Sequence, residues 1–186
     1  MTDVRFSGLG GQGIVRCGLI TGKALSLFDN KHATMTQSFG PEARGSACSS
    51  QLVVSDSRVL YPYITSPQIL VSMSQDAYDK YEPDLDENGM LIIDKDLVKP
   101  RPPRGEITIH SIPATRFAEV LGNRIFANLV MLGFFTAVTQ IVTPTAMKKA
   151  LPGLVPDRFL DLNIQAFNRG LEYGEEILEE EKKGKK

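Results

Sequence analysis

The sequence predicts a three-layer α/β domain with a largely parallel sheet, an inserted hairpin and a helical C-terminal third. Three observations carry that prediction. A short apolar strand, VRFSG, runs straight into the glycine-rich stretch GLGGQG (Gly8–Gly13) and then into a helical pattern. Two continuous apolar runs, QILVSMS and MLIID, read as strands buried on both faces, as parallel strands are. From Thr115 onward the chain is mostly of helical periodicity.

In order along the chain, the first helix is expected from Gln12 to Leu27, with Ile14, Cys17, Leu19, Ile20, Ala24 and Leu27 on or near one apolar face. Asp29-Asn30 ends it and HATMTQSF supplies a second strand. Strand, glycine turn, helix and strand together read as the first half of a Rossmann-like unit. FGPEARGSA follows as a loop punctuated by Gly40, Pro41 and Gly45. SSQLVVSD and VLYPYI are strand-like and separated only by Ser57-Arg58, which predicts a hairpin despite imperfect turn chemistry. After QILVSMS, the short helix QDAYDKYEPDL leads to the Asn88-Gly89 turn and MLIID. DLVKPRPPRGE reads as a proline-rich surface loop and EITIHSIPA as the next strand. Four helices follow: TRFAEVLG, ending near Gly122; Ile125 to Gln140; one opening at the Thr143-Pro144 cap; and one from Asp157 towards Glu181. The last carries an apolar stripe of Phe159, Leu162, Phe167, Leu171 and Leu178. No internal repeat or boundary is visible, so residues 1–186 are expected to form a single domain.

Composition narrows the function. With 42% hydrophobic and 23% charged residues and a net charge of -1, the chain has the balance of a soluble domain and no footprint for nucleic acid or anionic membrane. A domain of this size buries roughly 70% of the surface its unfolded chain exposes. The most apolar stretch, FANLVMLGFFTAVTQIV, is interrupted by Asn128, Thr136, Thr139 and Gln140, and reads as a buried core helix rather than a membrane span. MTDVR brings acidic and basic residues at once, so no signal peptide is expected and a cytoplasmic location is predicted. Cys17 and Cys48 are too few for a disulfide framework, a zinc site or an iron–sulfur cluster, and are expected to be buried thiols. The tail EEILEEEKKGKK reads as a fraying helix end.

Three motifs bear on chemistry. Gly8, Gly10, Gly11, Gln12 and Gly13 form a tight turn between strand and helix, where backbone N–H groups and the helix dipole face an anion. A dinucleotide would also need a carboxylate about 20 residues on, at the end of the second strand. That position falls at Gln37 and Ser38, with no acid. A close-packed turn, a dinucleotide site, and an anion or amide contact within this chain or across an interface stay open, with the dinucleotide disfavoured. In GPEARG (Gly40, Pro41, Glu42, Arg44, Gly45), the opposite charges form either an exposed ion pair or an orienting pair beside a carboxylate or phosphate. In GNRIFAN, Asn123 is placed to cap the following helix, with Arg124 in its first turn. Asn128 is expected to be buried and to need partners, the simplest being neighbouring backbone. His32 and His110 lie in strand-like surroundings without a metal-ligand spacing or a nucleophile beside them. No paired carboxylates, HExxH motif or Walker sequence occurs, so the chain is poorly equipped as a stand-alone enzyme.

GLGGQG, SFGPEARGSACSSQLVVSD, QILVSMSQDAYDKY and GNRIFANLVMLG, in that order, resemble the gamma subunit of 2-oxoacid:ferredoxin oxidoreductases from about Val4 to the C-terminal helix. The form GPEARGSACSSQLVVSD, with YP shortly after, is more similar to the 2-oxoglutarate type than to the pyruvate type. The resemblance implies a division of labour. Alpha and beta subunits hold thiamine diphosphate and substrate, and a ferredoxin-like delta subunit carries 4Fe–4S clusters. The complex decarboxylates a 2-oxoacid oxidatively with coenzyme A and passes electrons to ferredoxin. The gamma unit sits on the coenzyme A side with no firmly bound cofactor, no metal and no catalytic residue of its own. Gly8, Gly10, Gly11, Gln12 and Gly13 are then expected to line the cleft, and Gly40, Pro41, Glu42, Arg44, Gly45 and Asn123 to shape the cleft or interface. Asn128 is expected to brace the glycine loop from behind. Competing expectations are an autonomous NAD(P)-dependent oxidoreductase and a non-catalytic assembly or nucleotide-sensing module.

Overall fold

Six strands form one sheet: β1 (Thr2–Leu9), β2 (His32–Ser38), β3 (Ala47–Ser55), β4 (Ile69–Ser72), β5 (Met90–Asp94) and β6 (Thr108–Ile112). The computed structural model, which describes residues 1–40 and 45–184, orders them β2-β3-β1-β4-β5-β6. β1, β4, β5 and β6 are mutually parallel, whereas β3 is antiparallel to both its neighbours, β1 and β2. Six helices surround the sheet: α1 (Ile14–Phe28), α2 (Gln75–Tyr81), α3 (Ala114–Val120), α4 (Ala127–Thr139), α5 (Pro144–Ala150) and α6 (Leu160–Gly184). The α/β class, the largely parallel sheet and the helical C-terminal third are as the sequence predicts.

The buried strands sort their side chains by the two-residue period of the pleat. In β4, Ile69 and Val71 enter the large core and Leu70 enters the smaller core on the opposite face. In β5, Ile92 faces the first core while Leu91 and Ile93 face the second. Helices α1, α3, α4, α5 and α6 contribute to the first core, and α2 covers the second with Ala77, Tyr78 and Tyr81. The result is three layers.

Helix α4 is buried on every side from Ala127 to Val138, which explains its all-round apolar sequence. Phe135 packs edge-on against Phe6 of β1, with ring centroids 5.0 Å apart. Its other side meets α6 at backbone contact. A Cβ at Gly170 would fall 1.8 Å from the Val130 carbonyl oxygen, and one at Gly133 would fall 1.9 Å from that of Phe167. Here the stripe predicted from sequence shifts. Phe167 is buried, but Phe159, Leu162, Leu171 and Leu178 are only half-buried, and the contact line runs through Ala166, Phe167, Gly170 and Gly174. Small residues set the line because they let the helix axes approach. On α1, Leu19 and Leu27 are likewise exposed, and Gly18, Thr21 and Leu25 join the buried face instead.

Two larger corrections concern the sheet. VLYPYI forms no strand, since both edges of β3 are taken by β1 and β2. The hairpin is β2–β3, closed by residues 39–46, because Ser57-Arg58 lacks the residues that a two-residue hairpin turn requires. The first half-unit is also split. β1 and β2 run parallel, but β3 lies between them, so they stand two strand spacings, roughly 10 Å, apart.

Capping follows local chemistry. Thr143 Oγ1 accepts from the Ala146 N–H at the start of α5 and donates to Asp29, whose carboxylate also accepts the Thr143 N–H. Among the described residues no helix is long and apolar enough to cross a membrane.

Candidate functional site

From β1 the chain leaves through α1 towards one side of the sheet, and β4 is laid down on the other side. The carboxyl ends of β1 and β4 are therefore the point where strand order reverses, the usual place for a ligand crevice in open α/β sheets. A cavity of about 910 Å³ opens there, lined by residues 10–16 together with Cys48, Met73, Thr115, Arg124 and Asn128. Its size suits a cofactor-sized molecule.

The glycine loop is braced from inside. Gln12 Oε1 accepts the Leu9 N–H at 2.7 Å, and Gln12 Nε2 donates to the Met73 carbonyl at 2.8 Å. Gln12 thus ties the loop to the end of β4 and spends its amide there rather than on a ligand. Gly8 leaves the room this needs, since a Cβ there would lie 2.6 Å from Gln12 Oε1. The Gly10 N–H donates to the Ser46 carbonyl, and Gly11 faces open space.

Gly13 caps α1 in the left-handed conformation at φ 79°, with no side-chain cap. The first main-chain donor within the helix is Cys17, whose N–H reaches the Gly13 carbonyl. The amides of Ile14, Val15 and Arg16 therefore have no partner among the described residues, and all three residues line the cavity. Unpaired amides at a helix N-terminus are donors for an anion.

Asn128, at the start of α4, closes the cavity behind Gly13. It is 2% exposed, and a Cβ on Gly13 would lie 2.2 Å from its Nδ2. Its Oδ1 is buried without a hydrogen-bond donor, a cost that native proteins rarely leave unmet. Asn123 Oδ1 accepts the Ile125 N–H and caps the 3-10 turn Arg124–Phe126, outside the cavity lining.

The GPEARG loop springs from the same place. A Cβ on Gly40 would fall 2.4 Å from Ser46 Oγ, so the hairpin neck is pinched beside the residue that accepts from Gly10. Gly45 stands at φ 83°. Pro41, Glu42 and Arg44 lie outside the described residues.

Arg16 and Arg124 are the charged residues among those described as lining the cavity, and no described lining residue is acidic. Arg124 pairs with Glu119 at 3.2 Å, with both side chains largely exposed, which contributes little. Arg16 is half-buried, without a hydrogen bond or ion pair among the described residues. Sequence reasoning did not single it out. The available signal was a basic residue in a first helical turn, against the helix dipole. Burial pushes the Cys17 thiol up to about 12 and also raises that of Cys48, so both stay protonated at neutral pH. His32 and His110 are not in the cavity lining. Among the described residues no group of three or more His, Cys, Asp or Glu is placed to hold a metal ion.

The sheet order also weakens the dinucleotide reading. A ribose-binding acid belongs at the carboxyl end of the strand beside β1. That neighbour is β3, which runs the other way and offers Cys48 and Ala47 opposite Gly8 and Leu9.

Residues 3–173 match the family described as pyruvate ferredoxin/flavodoxin oxidoreductase. The chain is 45% identical to the 2-oxoglutarate synthase subunit KorC of Methanocaldococcus jannaschii, over 94% of its own length and 95% of that subunit. The solved keto/oxoacid ferredoxin oxidoreductase gamma subunit from Geobacter sulfurreducens is similar at a TM-score of 0.82 and 39% identity, covering 94% of this chain and 98% of that one. The 2-oxoglutarate:ferredoxin oxidoreductase from Magnetococcus marinus shares the fold at a TM-score of 0.84 and 18% identity. That match covers 93% of this chain but 31% of the other, where the fold is one segment of a longer polypeptide.

Proposed function

This chain belongs to the pyruvate ferredoxin/flavodoxin oxidoreductase family, and from that premise we propose that it is the gamma-type subunit of a multisubunit 2-oxoglutarate:ferredoxin oxidoreductase. The complex catalyses coenzyme-A-dependent oxidative decarboxylation, giving acyl-CoA, carbon dioxide and reduced ferredoxin. Thiamine diphosphate sits on the alpha and beta subunits, and the clusters on a ferredoxin-like delta subunit. This chain's two cysteines fall short of the four thiolates that one cluster takes.

The observation that carries the reading is the crevice at the carboxyl ends of β1 and β4. It combines unpaired amides at the start of α1 with Arg16, which has no ion-pair partner among the described residues, and no described carboxylate lines it to repel an anion. Such a surface suits the phosphate-bearing coenzyme A rather than the chemical step itself. Gly10, Gly11 and Gly13 form the wall nearest the cleft, Gln12 holds that wall to β4, and Asn128 supports it from behind. Glu42 and Arg44, carried on the loop that leaves beside Gly10, shape the cleft or the subunit interface. Arg44→Ala is expected to raise the apparent coenzyme A requirement or weaken assembly.

Co-purification from the native cell tests the reading. Companion chains containing thiamine diphosphate and iron–sulfur clusters, with 2-oxoglutarate-dependent ferredoxin reduction, are the expected result. A solitary chain, or full activity in a complex lacking it, would overturn it.

A further inference from the structure

Asp94 ends β5 and is 0% exposed. Two residues after Ile92, it points to the same face of the sheet, that of the first core. A carboxylate so placed is costly, and burial raises its pKa against the hydrogen bonds it accepts. Those bonds show what it holds. Oδ2 accepts the Thr115 N–H at 2.9 Å and the Thr115 hydroxyl at 2.6 Å, and Oδ1 accepts the Asp96 N–H at 3.1 Å. The Asp94 main-chain carbonyl accepts the Leu97 and Val98 N–H groups at 3.0 and 2.9 Å. Thr115 and Leu97 both line the crevice. One buried residue thus sets two parts of the crevice wall.

The consequence is a fixed polarity. A hydroxyl carries a single proton, and the short bond to Asp94 takes that of Thr115. The Thr115 N–H is taken as well. Among the described residues nothing donates to Thr115 Oγ1, so Thr115 can only accept from a ligand. At the start of α1, by contrast, the unpaired amides of Ile14, Val15 and Arg16 can only donate. A phosphate suits those amides. Thr115 needs an N–H or O–H, and Leu97, held by the same residue, adds apolar surface.

We propose that Asp94 is a positioning residue, which fixes Thr115 as the acceptor for an amide N–H of the pantetheine arm of coenzyme A. The inference rests on the proposed function, which supplies the ligand. The arm joins amide donors to aliphatic carbon, the pairing that Thr115 and Leu97 match. The adenosine end carries amino and hydroxyl donors without that aliphatic chain.

The test measures binding of coenzyme A, and of its halves phosphopantetheine and adenosine bisphosphate, to the reconstituted complex. Thr115→Val removes the acceptor, Thr115→Ser keeps it, and Asp94→Asn is made alone and combined with Thr115→Val. Thr115→Val is expected to bind coenzyme A and phosphopantetheine about tenfold more weakly, with adenosine bisphosphate unchanged. KM for coenzyme A should rise while kcat at saturation holds. Thr115→Ser should stay near wild type, and Asp94→Asn should add nothing to Thr115→Val. Wild-type affinity in Thr115→Val overturns the inference, as does an equal loss for adenosine bisphosphate or in Thr115→Ser. Additive effects overturn the role of Asp94. Where Thr115→Val or Asp94→Asn does not assemble, a crystal structure of the Thr115→Ser complex with coenzyme A decides. The serine hydroxyl is expected on Asp94 with a pantetheine N–H upon it, and either group elsewhere overturns the inference. If the wild-type complex binds no coenzyme A, the proposed function itself fails.

Discussion

The side-chain amide of Asn128 fills the space that a Cβ on Gly13 would occupy, with Nδ2 2.2 Å from that point. One contact thus joins the glycine loop after β1 to the first turn of α4. It makes glycine obligatory at residue 13 on two counts, conformation and space.

Gly13→Ala should therefore lower stability by about 1–2 kcal/mol from the left-handed backbone alone, and further by displacing Asn128. Urea unfolding measures the loss. Asn128→Gly in the Gly13→Ala background should restore only the part owed to collision. Complete recovery would mean that φ 79° at Gly13 costs nothing.

Arg16→Ala separates binding from folding. The side chain makes no hydrogen bond or ion pair among the described residues, so stability should change by no more than about 0.5 kcal/mol. If its guanidinium grips a phosphate of coenzyme A, the KM for coenzyme A in the assembled enzyme should rise about 10–100-fold, the range for a charge-assisted bond. An unchanged KM would remove Arg16 from the ligand.

Gln12→Ala deletes both braces of the loop, to the Leu9 N–H and the Met73 carbonyl, and should cost about 1–3 kcal/mol in a thermal or urea melt. Gln12→Glu should be worse near neutral pH, because its carboxylate would replace the donor that faces the Met73 carbonyl.

His110 sets one pH dependence. Burial lowers its pKa from the ordinary 6.5, and Glu181, with Oε1 3.9 Å from Nδ1, opposes that more weakly. A depressed folded pKa means that the unfolded chain takes up the proton first. The associated stability is present above pH 6.5 and is lost as pH falls through the lowered folded value. His110→Gln should flatten the melting temperature between pH 7.5 and 5.5 relative to wild type; an unchanged slope would assign it to other groups.

Gly170→Ala tests the α4–α6 contact. Alanine would gain about 1 kcal/mol of helix propensity. Its methyl would, however, meet the Val130 carbonyl oxygen at 1.8 Å, and backbone on both sides leaves little to yield. A net loss of at least about 1 kcal/mol is expected from the urea midpoint.

Much of the local structure is legible in the sequence. QILVSMS and MLIID are buried strands, GLGGQG turns into a helix, Thr143 caps α5, and Asn123 caps the turn before α4. Each depends on neighbours a few residues away, on period and on turn chemistry. The misreadings share a different origin. VLYPYI has strand composition, but β3 had no free edge for it. Leu19 and Leu27 have helical spacing, but they stand exposed while Gly18, Thr21 and Leu25 take the buried face of α1. Gln12 lines the crevice, and its second role as a brace comes from Met73, which arrives beside it at the end of β4.

By itself, the sequence determined which segments are strands and helices, where the glycine loop falls, and a family resemblance that the comparisons bear out. Only the tertiary structure decided that β3 separates β1 from β2, that Asn128 stands against Gly13, and that Arg16 faces the crevice without a counter-ion among the described residues. The physical reason is range. Propensity and capping act over a turn or two of chain, whereas strand order and side-chain juxtaposition come from long-range burial and pairing, which no local pattern encodes.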